Sequence, residues 1–503
     1  METENGFLNS SARGNRKTCL EFLTLLYIGI EILWQEYQMC SFAAHFPPIA
    51  QRIPLIEAFI LTSGLVLTVA NILFLTEWRN SRRVFFLYGI CLLDALSSYM
   101  AIGSVKLVWI QQVEREIITV VLFYCAAQRV RENSSGRLLH LFYWICLLFW
   151  SMMCCLSLCQ FALMIGSDGP RSTIFPLLQG RGYYGHRLFG VFNWPEYGAV
   201  TSLLIMLAGG YYFARTRSIA ERGLLLLCNV PLLFYLVICR SRNAQAALYL
   251  CVFLGVGLVC LKRPLVPRGG RCKALTALAA ALAVVAGAHL GYIAIQHTAE
   301  HVPGLFSEYS GPLVQKAVQS PSADMGEETQ NGETATWSSV LERIDTKGNI
   351  GTNRLSIWKD YLSLWKEYGL FGLSSIYDLW YILEHHPELF ICQYSPGSVY
   401  HPHNGYLKAL SSTGYLGFTF LMLFLLGGVS DVWKAIQASE KIKPELLFPL
   451  LIVLAGCSST MFDLELFFVF NPISYIFWLA LGILMKQVSE KSETGTQCAN
   501  ADR

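Results

Sequence analysis

The sequence predicts an all-α, polytopic membrane protein, and three observations predict it. Of the 503 residues, 54% are hydrophobic and 15% charged, where a soluble chain carries about a quarter charged. Apolar runs of about 20 residues, the length that spans a bilayer, recur along nearly the whole chain. Basic residues collect in every second connection between those runs, the bias that orients a membrane bundle. The net charge of +3 says little, because distribution matters more than sum; no nucleic-acid partner is expected.

The spans are expected at 19–40, 55–76, 84–103, 106–127, 138–165, 196–214, 223–240, 243–262, 273–297, 404–428, 446–463 and 466–486, about twelve transmembrane helices in all. The first apolar run, Cys19 to Trp34, has no small-residue cleavage site after it and is read as a span. The fourth is interrupted by Glu114, Arg115 and Glu116. Those charges either face a polar cavity or place that stretch at the interface.

Arg13, Arg16 and Lys17 precede the first span, and Arg79, Arg82 and Arg83 follow the second. Arg129, Arg131 and Arg137 follow the fourth, and Arg215, Arg217 and Arg222 the sixth. Lys262, Arg263, Arg268, Arg271 and Lys273 follow the eighth. Lys434, Lys441 and Lys443 follow the tenth, and Lys486 and Lys491 end the twelfth. Every even connection is basic, which sets both termini in the cytoplasm and the odd connections outside. The chain divides into N-terminal spans (1–165), central spans with outer arginine-bearing loops (166–297), a large extracytoplasmic loop (298–403), C-terminal spans (404–487) and a cytoplasmic tail (488–503). Most cysteines, such as Cys146, Cys154 and Cys251, lie inside apolar runs. They read as small buried hydrophobes, not as a disulfide scaffold.

The outward side carries arginines that the orientation bias does not explain. Arg171, Arg181 and Arg187 lie between Gly166 and Pro195, Arg240 and Arg242 in the turn after the seventh span, and Arg343 and Arg354 in the large loop. Within that loop, Gln319 to Thr336 is polar, acidic and aperiodic, and reads as a flexible insert. Asn353 to Tyr368 differs. Leu355, Trp358, Leu362 and Trp365 recur at spacings of three and four, with charges between them. That is an amphipathic helix suited to the outer membrane interface.

The loop closes on Tyr400-His401-Pro402-His403-Asn404-Gly405-Tyr406-Leu407, which opens a long apolar run. A histidine where an outer loop enters a membrane is a proton-transfer candidate, and Asn404 can cap the first helical turn. Three more outward motifs accompany it. They are Gly185-His186-Arg187 through Pro195-Glu196, Cys239-Arg240-Ser241-Arg242-Asn243-Ala244, and Gly351-Thr352-Asn353-Arg354 through Trp358.

From about Arg187 to Leu484, this set resembles the O-antigen ligase and polymerase family of bacterial membrane glycosyltransferases. The family pattern is an arginine–glycine loop, a Ser-Arg at the outer start of a span, an arginine before a Trp-containing amphipathic helix, and His-Asn opening the span after a large outer loop. All four occur here in order, and the second and fourth are the specific ones. One departure is Pro195-Glu196, where members often have Pro-Asn. The N-terminal half matches in topology only. The resemblance implies transfer of a glycan from undecaprenyl diphosphate to a hydroxyl of a glycan or lipid-glycan acceptor, with inversion at the anomeric carbon. It implies no metal and no other cofactor, a place in the cytoplasmic (inner) membrane among its lipids, and a role in cell-surface polysaccharide assembly.

The residues suit that chemistry. A pyrophosphate leaving group needs its charge neutralised as the glycosidic bond breaks. No outward Asp-x-Asp is present to hold Mg²⁺, whereas arginine pairs bidentately with phosphate and stays charged. Arg242 and Arg354 are the first candidates for this clamp and Arg187 the third. His403 is the expected general base on the acceptor hydroxyl, or its orienter. A helix N-terminus and nearby arginines favour the neutral ring. Asn404 and Ser241 are the supporting residues.

Blander readings stand beside these. Arg242 can be a snorkelling interface residue, Arg354 a surface charge on its helix, and His403 or Asn404 a capping residue. Arg171, Arg181 and Arg240 read as loop or headgroup contacts, His401 as a neighbour of the site, and Trp358 and Trp365 as interface anchors. His385, His386, His401 and His403 are loosely spaced for a zinc site. Ligase and polymerase share a donor and differ in the acceptor groove, and one large loop before His403 leans towards the ligase. A lipid-linked oligosaccharide flippase is the alternative from another class. It would gather polar groups and broken helices at mid-membrane around related halves, whereas the motifs here sit at outer span ends.

Overall fold

The computed structural model describes residues 2–41, 49, 51–74, 83–103, 107–130, 134–163, 182–184, 187–262, 270–306, 354–393, 401–463 and 466–501. The acidic insert, Arg171, Arg181, Arg343, the Gly185-His186 and Gly351–Asn353 stretches and Tyr400 lie outside the described residues.

The helices are α1 (Glu2–Gln38), α2 (Ile53–Phe74), α3 (Val84–Ile102), α4 (Leu107–Ile118), α5 (Ser134–Ala162), α6 (Pro195–Arg215), α7 (Ile219–Ile238), α8 (Arg242–Lys262) and α9 (Gly270–Glu300). The short α10 (Val302–Leu305) follows, then α11 (Arg354–Ser363), α12 (Trp365–Tyr368), α13 (Asp378–His385), α14 (Phe390–Gln393), α15 (Gly405–Ala438), α16 (Pro444–Ser459) and α17 (Pro472–Ala501). A hairpin of β1 (Gly182–Tyr184) and β2 (Arg187–Gly190) precedes α6. Among the described residues, ten helices are long and apolar enough to cross a membrane. The protein is an all-α, polytopic membrane protein.

Local chemistry sets many boundaries. Pro195 and Pro444 open α6 and α16 at positions that need no amide hydrogen. The Ser218 hydroxyl accepts from the Glu221 amide at the start of α7. Gly103 closes α3 in the left-handed conformation.

Besides the tenth, which is broken at Gly414, three expected spans are less regular than their hydropathy suggests. The fourth is helical to Ile118, then passes into a buried π-turn, Thr119–Cys125, and a 3₁₀ turn, Ala127–Arg129. The eleventh is a helix of 16 residues, short for a bilayer. The twelfth becomes helical only at Pro472, after a non-helical 466–471.

The chain forms two compact units. One comprises Met1–Leu33, Pro54–Tyr143 and Asn349–Arg503. Here α3 lies along α15, and α17 packs on α16 and on the π-turn. Phe123 stacks on Tyr475 with ring centres 4.3 Å apart, and Tyr124 meets Phe424 and Trp478 edge-on. α15 is broken at Gly414 (φ 64°, ψ −166°). The segment 369–374 pairs with the break: the Leu373 and Ser374 amides donate to the Ser411 and Ser412 carbonyls, and Tyr415 and Leu416 donate to Gly369 and Leu370. Backbone freed by the break is thereby satisfied inside the protein. A Cβ at Gly414 would stand 2.5 Å from the Gly372 nitrogen, so the crossing requires glycine.

Helices α11 to α14 form a small core of their own in this unit. Ile357, Tyr361, Leu364 and Tyr368 bury against Ile382, Ile391 and Cys392. The single amphipathic helix expected over Asn353–Tyr368 is broken at Leu364 into α11 and α12, which together carry a buried and an exposed apolar face. Leu355, Leu362 and Trp365 remain half exposed or more.

The other unit comprises Trp34–Ile53 and Trp144–Gly348. α6 packs on α7, and α8 on α9. Its centre is Phe192, set between Trp150 and Tyr235. The Tyr235 hydroxyl donates to the Phe189 carbonyl, which seats the hairpin on α7.

Candidate active site

In the first unit, the loop His401–Asn404 is anchored at the end of α16. The Gly405 amide donates to the Thr460 carbonyl at 2.8 Å. A Cβ on Gly405 would sit 2.4 Å from the Thr460 hydroxyl, so only glycine lets the two chains approach this closely. The Tyr406 hydroxyl reaches back to the Cys457 carbonyl at 3.2 Å. Asn404 caps α15: its Oδ1 accepts from the amides of Tyr406 (3.0 Å) and Leu407 (3.1 Å).

That anchoring brings Asp463, three residues beyond Thr460, to His403. His403 adopts φ 45°, a left-handed conformation that is uncommon outside glycine and costs about 1–3 kcal/mol. Its Nδ1 lies 3.3 Å from Asp463 Oδ1. A carboxylate at Nδ1 orients an imidazole and leaves Nε2 as the nitrogen that can accept a proton.

α11 crosses the same loop. Trp358 Nε1 donates to the Pro402 carbonyl at 2.9 Å, and the Trp358 ring lies 6.3 Å from that of Phe462. Arg354 is the first residue of α11, one turn before Trp358 and on the same helix face. Sequence reading took Trp358 as an interface anchor; in the structure it ties α11 to the histidine loop.

Behind the loop lies a polar network that sequence reading missed. Lys408 donates to Asp378 at 2.6 Å and to the Ser375 carbonyl at 2.8 Å, and both charged side chains are buried. Ser411 donates to the other Asp378 oxygen at 2.9 Å. Ser375 in turn gives its amide and hydroxyl to Asp94 at 2.9 and 2.8 Å. His401 reaches the surface, but the protein packed around it, and then the Lys408 ammonium, hold its pKa below the ordinary value. His386 is engaged elsewhere, between Glu367 (2.7 Å) and Glu388 (3.4 Å). Among the described residues, no group of three or more His, Cys, Asp or Glu side chains is placed to hold a metal ion.

The remaining candidates belong to the second unit. Arg187 lies on β2, and its guanidinium is paired with Glu196, in the first turn of α6, at 2.5 Å. The residue that departs from the family pattern is thus the partner of one expected clamp residue. Ser241 is buried at the start of α8, its hydroxyl 3.4 Å from the Ala244 amide. Arg242 opens α8 with its side chain exposed. Arg240, expected as a loop or headgroup contact, pairs with Glu300 at 3.1 Å.

The structure therefore joins His403, Asn404 and the Arg354 helix within one unit, and sets Arg187, Ser241 and Arg242 in the other. Asp463 could have been suspected from sequence: with Glu465 it interrupts the apolar run at the junction of the eleventh and twelfth expected spans. Lys408 falls one turn after Asn404 inside an apolar run, which was the signal for the buried pair.

Residues 227–422 match the family described as O-antigen ligase. The matched stretch contains Ser241, Arg242, Arg354, His403 and Asn404; Arg187 and Asp463 lie outside it. No curated protein matches the chain.

Proposed function

We propose that this chain, which matches the O-antigen ligase family over residues 227–422, acts as a member of it and passes a glycan from an undecaprenyl-diphosphate carrier to the hydroxyl of a glycan or lipid-glycan acceptor. The reaction takes place on the outer face of the cytoplasmic membrane and needs no metal ion. The loop 298–403 faces outward in this reading, and both termini face the cytoplasm, as the basic even connections favour. The observation that carries the proposal is His403 beside Asp463 at the capped start of α15, with the family match covering His403 itself.

His403 Nε2 takes the proton of the acceptor hydroxyl as its oxygen attacks the anomeric carbon from the face opposite the departing pyrophosphate. The C–O bond to the new acceptor forms as the bond to the phosphate oxygen breaks. Asp463 holds the ring and stabilises the imidazolium that results. Arg242, Arg354 and Arg187 offset the charge released on the lipid diphosphate. Arg187 starts from a paired state, so diphosphate must share or displace its contact with Glu196. Asn404 keeps the helix end that presents His403, and Ser241 does the same for Arg242.

Among the irregular spans, the break in α15 at Gly414 is the clearest feature that favours a flippase, since transporters use discontinuous helices. Its free backbone groups are already engaged by 369–374, which speaks for a structural joint over a substrate path.

The test is glycan transfer in liposomes holding the purified chain, an undecaprenyl-diphosphate-linked oligosaccharide and EDTA. Release of undecaprenyl diphosphate that is lost in His403→Ala and in Arg242→Ala supports the reading. A ladder of products marks a polymerase, and a single transferred species a ligase. Movement of intact donor across the bilayer without release overturns glycan transfer in favour of the flippase.

A further inference from the structure

Two acids are buried together in the first unit. Asp94 on α3 is 0% exposed and Glu116 on α4 7%. Their carboxyls hydrogen-bond to one another. Two ionised carboxylates are both acceptors and have no hydrogen between them, so this bond requires that one of the two is an acid.

The surrounding donors decide which one. Asp94 collects two of them: the Ser375 amide on Oδ1 at 2.9 Å and the Ser375 hydroxyl on Oδ2 at 2.8 Å. The Lys408 ammonium binds the same residue, donating to the Ser375 carbonyl at 2.8 Å. Glu116 collects one donor. Gln112 Nε2 lies 3.3 Å from Glu116 Oε1 and is shared with the Phe468 carbonyl at 3.2 Å. Glu116 Oε2 is buried and receives no hydrogen bond from a described residue. An anion gathers donors, whereas a carboxylic acid needs an acceptor for its own hydrogen. That places the charge on Asp94 and the hydrogen on Glu116, with Oε1 as its carbonyl oxygen and Oε2 as its hydroxyl.

Asp94 is also where α3 grips the chain around the α15 break. Ser98 hydrogen-bonds to Ser374 at 2.7 Å, and the Ser97 hydroxyl donates to the Ser412 carbonyl at 3.1 Å. Asp94, Ser97 and Ser98 are spaced by three and four, which puts them on one face of the helix. Lys408, one turn beyond Asn404, is fixed between the Ser375 carbonyl and Asp378. A line of contacts thus runs from Glu116 through Asp94, Ser375 and Lys408 to the helix start that presents His403.

We propose that Glu116 and Asp94 form an acid–carboxylate pair holding one proton, with Glu116 the donor and Asp94 the anion, and that this pair positions segment 369–378 and, through Lys408, the histidine loop. Both are positioning residues. The pair stands whether or not the chain transfers glycans, because each of its readouts is independent of that reaction.

The experiment is infrared difference spectroscopy at neutral pH on the full chain in nanodiscs, joined to amide hydrogen exchange read by mass spectrometry. Subtracting Glu116→Gln from the parent should leave the carbonyl stretch of one protonated carboxylic acid. That band should move when the glutamate carboxyls are isotope-labelled and stay when the aspartates are. Glu116→Gln keeps a hydrogen for Asp94, so exchange in 369–378 and 401–408 should match the parent. Glu116→Leu has no hydrogen to give and should quicken exchange in both segments by about tenfold. Ser375→Ala leaves the pair in place and weakens its link to the loop; it should keep the band and quicken exchange, and it carries the test if Glu116→Leu does not fold. The proposal is overturned by a difference spectrum without an acid band or by a band that follows the aspartate label. It is also overturned if Glu116→Gln fails to fold or exchanges as fast as Glu116→Leu, or if Ser375→Ala or a folded Glu116→Leu exchanges at the parent rate.

Discussion

His403 Nδ1 faces Asp463 Oδ1 at 3.3 Å across sixty residues of sequence. The contact exists because Gly405 and Thr460 meet through a backbone hydrogen bond, which closes the loop onto the end of α16. If His403 is the base in glycan transfer, Asp463→Asn should lower turnover by about 10²-fold with little change in KM. A turnover equal to that of the unaltered chain, at unchanged melting temperature, would remove Asp463 from the mechanism.

Asn404 is expected to act mainly through its cap. Asn404→Ala should cost about 1 kcal/mol of stability, while Asn404→Asp keeps an acceptor for the Tyr406 and Leu407 amides. Thermal unfolding separates the two variants. Transfer that is lost in the well-folded aspartate variant would assign the amide a role beyond capping.

Lys408 and Asp378 are buried together, so removing one partner leaves an uncompensated charge. Lys408→Met alone should destabilise by about 3–5 kcal/mol. Lys408→Met with Asp378→Leu should recover a large part of that loss. A single variant as stable as the parent would mean that water reaches the pair.

Glu196 holds Arg187 at 2.5 Å. Glu196→Gln removes the competing charge and should lower KM for the lipid diphosphate donor by about tenfold, equal to roughly 1.4 kcal/mol. An unchanged KM, with Arg187→Ala also silent, would make the pair a structural feature of the hairpin.

The loop helices carry a pH-dependent clasp. Burial, the largest influence on His386, acts to lower its pKa, but Glu367 and Glu388 together outweigh it and raise the pKa. A raised value means that the folded state binds the proton more tightly than the unfolded chain. The stabilisation is full below the ordinary histidine value of about 6.5 and fades as pH rises through the raised one. Limited proteolysis of 354–393 should therefore quicken with rising pH across this window. His386→Gln should be cut at a rate that varies less with pH.

The sequence by itself determined the membrane class, the approximate span positions and the motif order, because these depend on composition and on local periodicity. Asn404 was legible as a cap for the same reason: capping is settled within three residues. The aromatic stripe on α11 was legible as a stripe, yet sequence could not tell which face the protein would bury. Ile357 and Tyr361 turned inward because Ile382 and Ile391 offered a partner surface. The π-turn after Ile118, the break at Gly414 and the late start of α17 at Pro472 were hidden inside runs of uniform hydropathy. Hydropathy reports where backbone must be satisfied, not by which partner. The Asp463 and Glu196 contacts were decided only by tertiary structure. Each is a side-chain pair whose geometry depends on an anchor elsewhere, Gly405 on Thr460 for one and the hairpin seated on Tyr235 for the other.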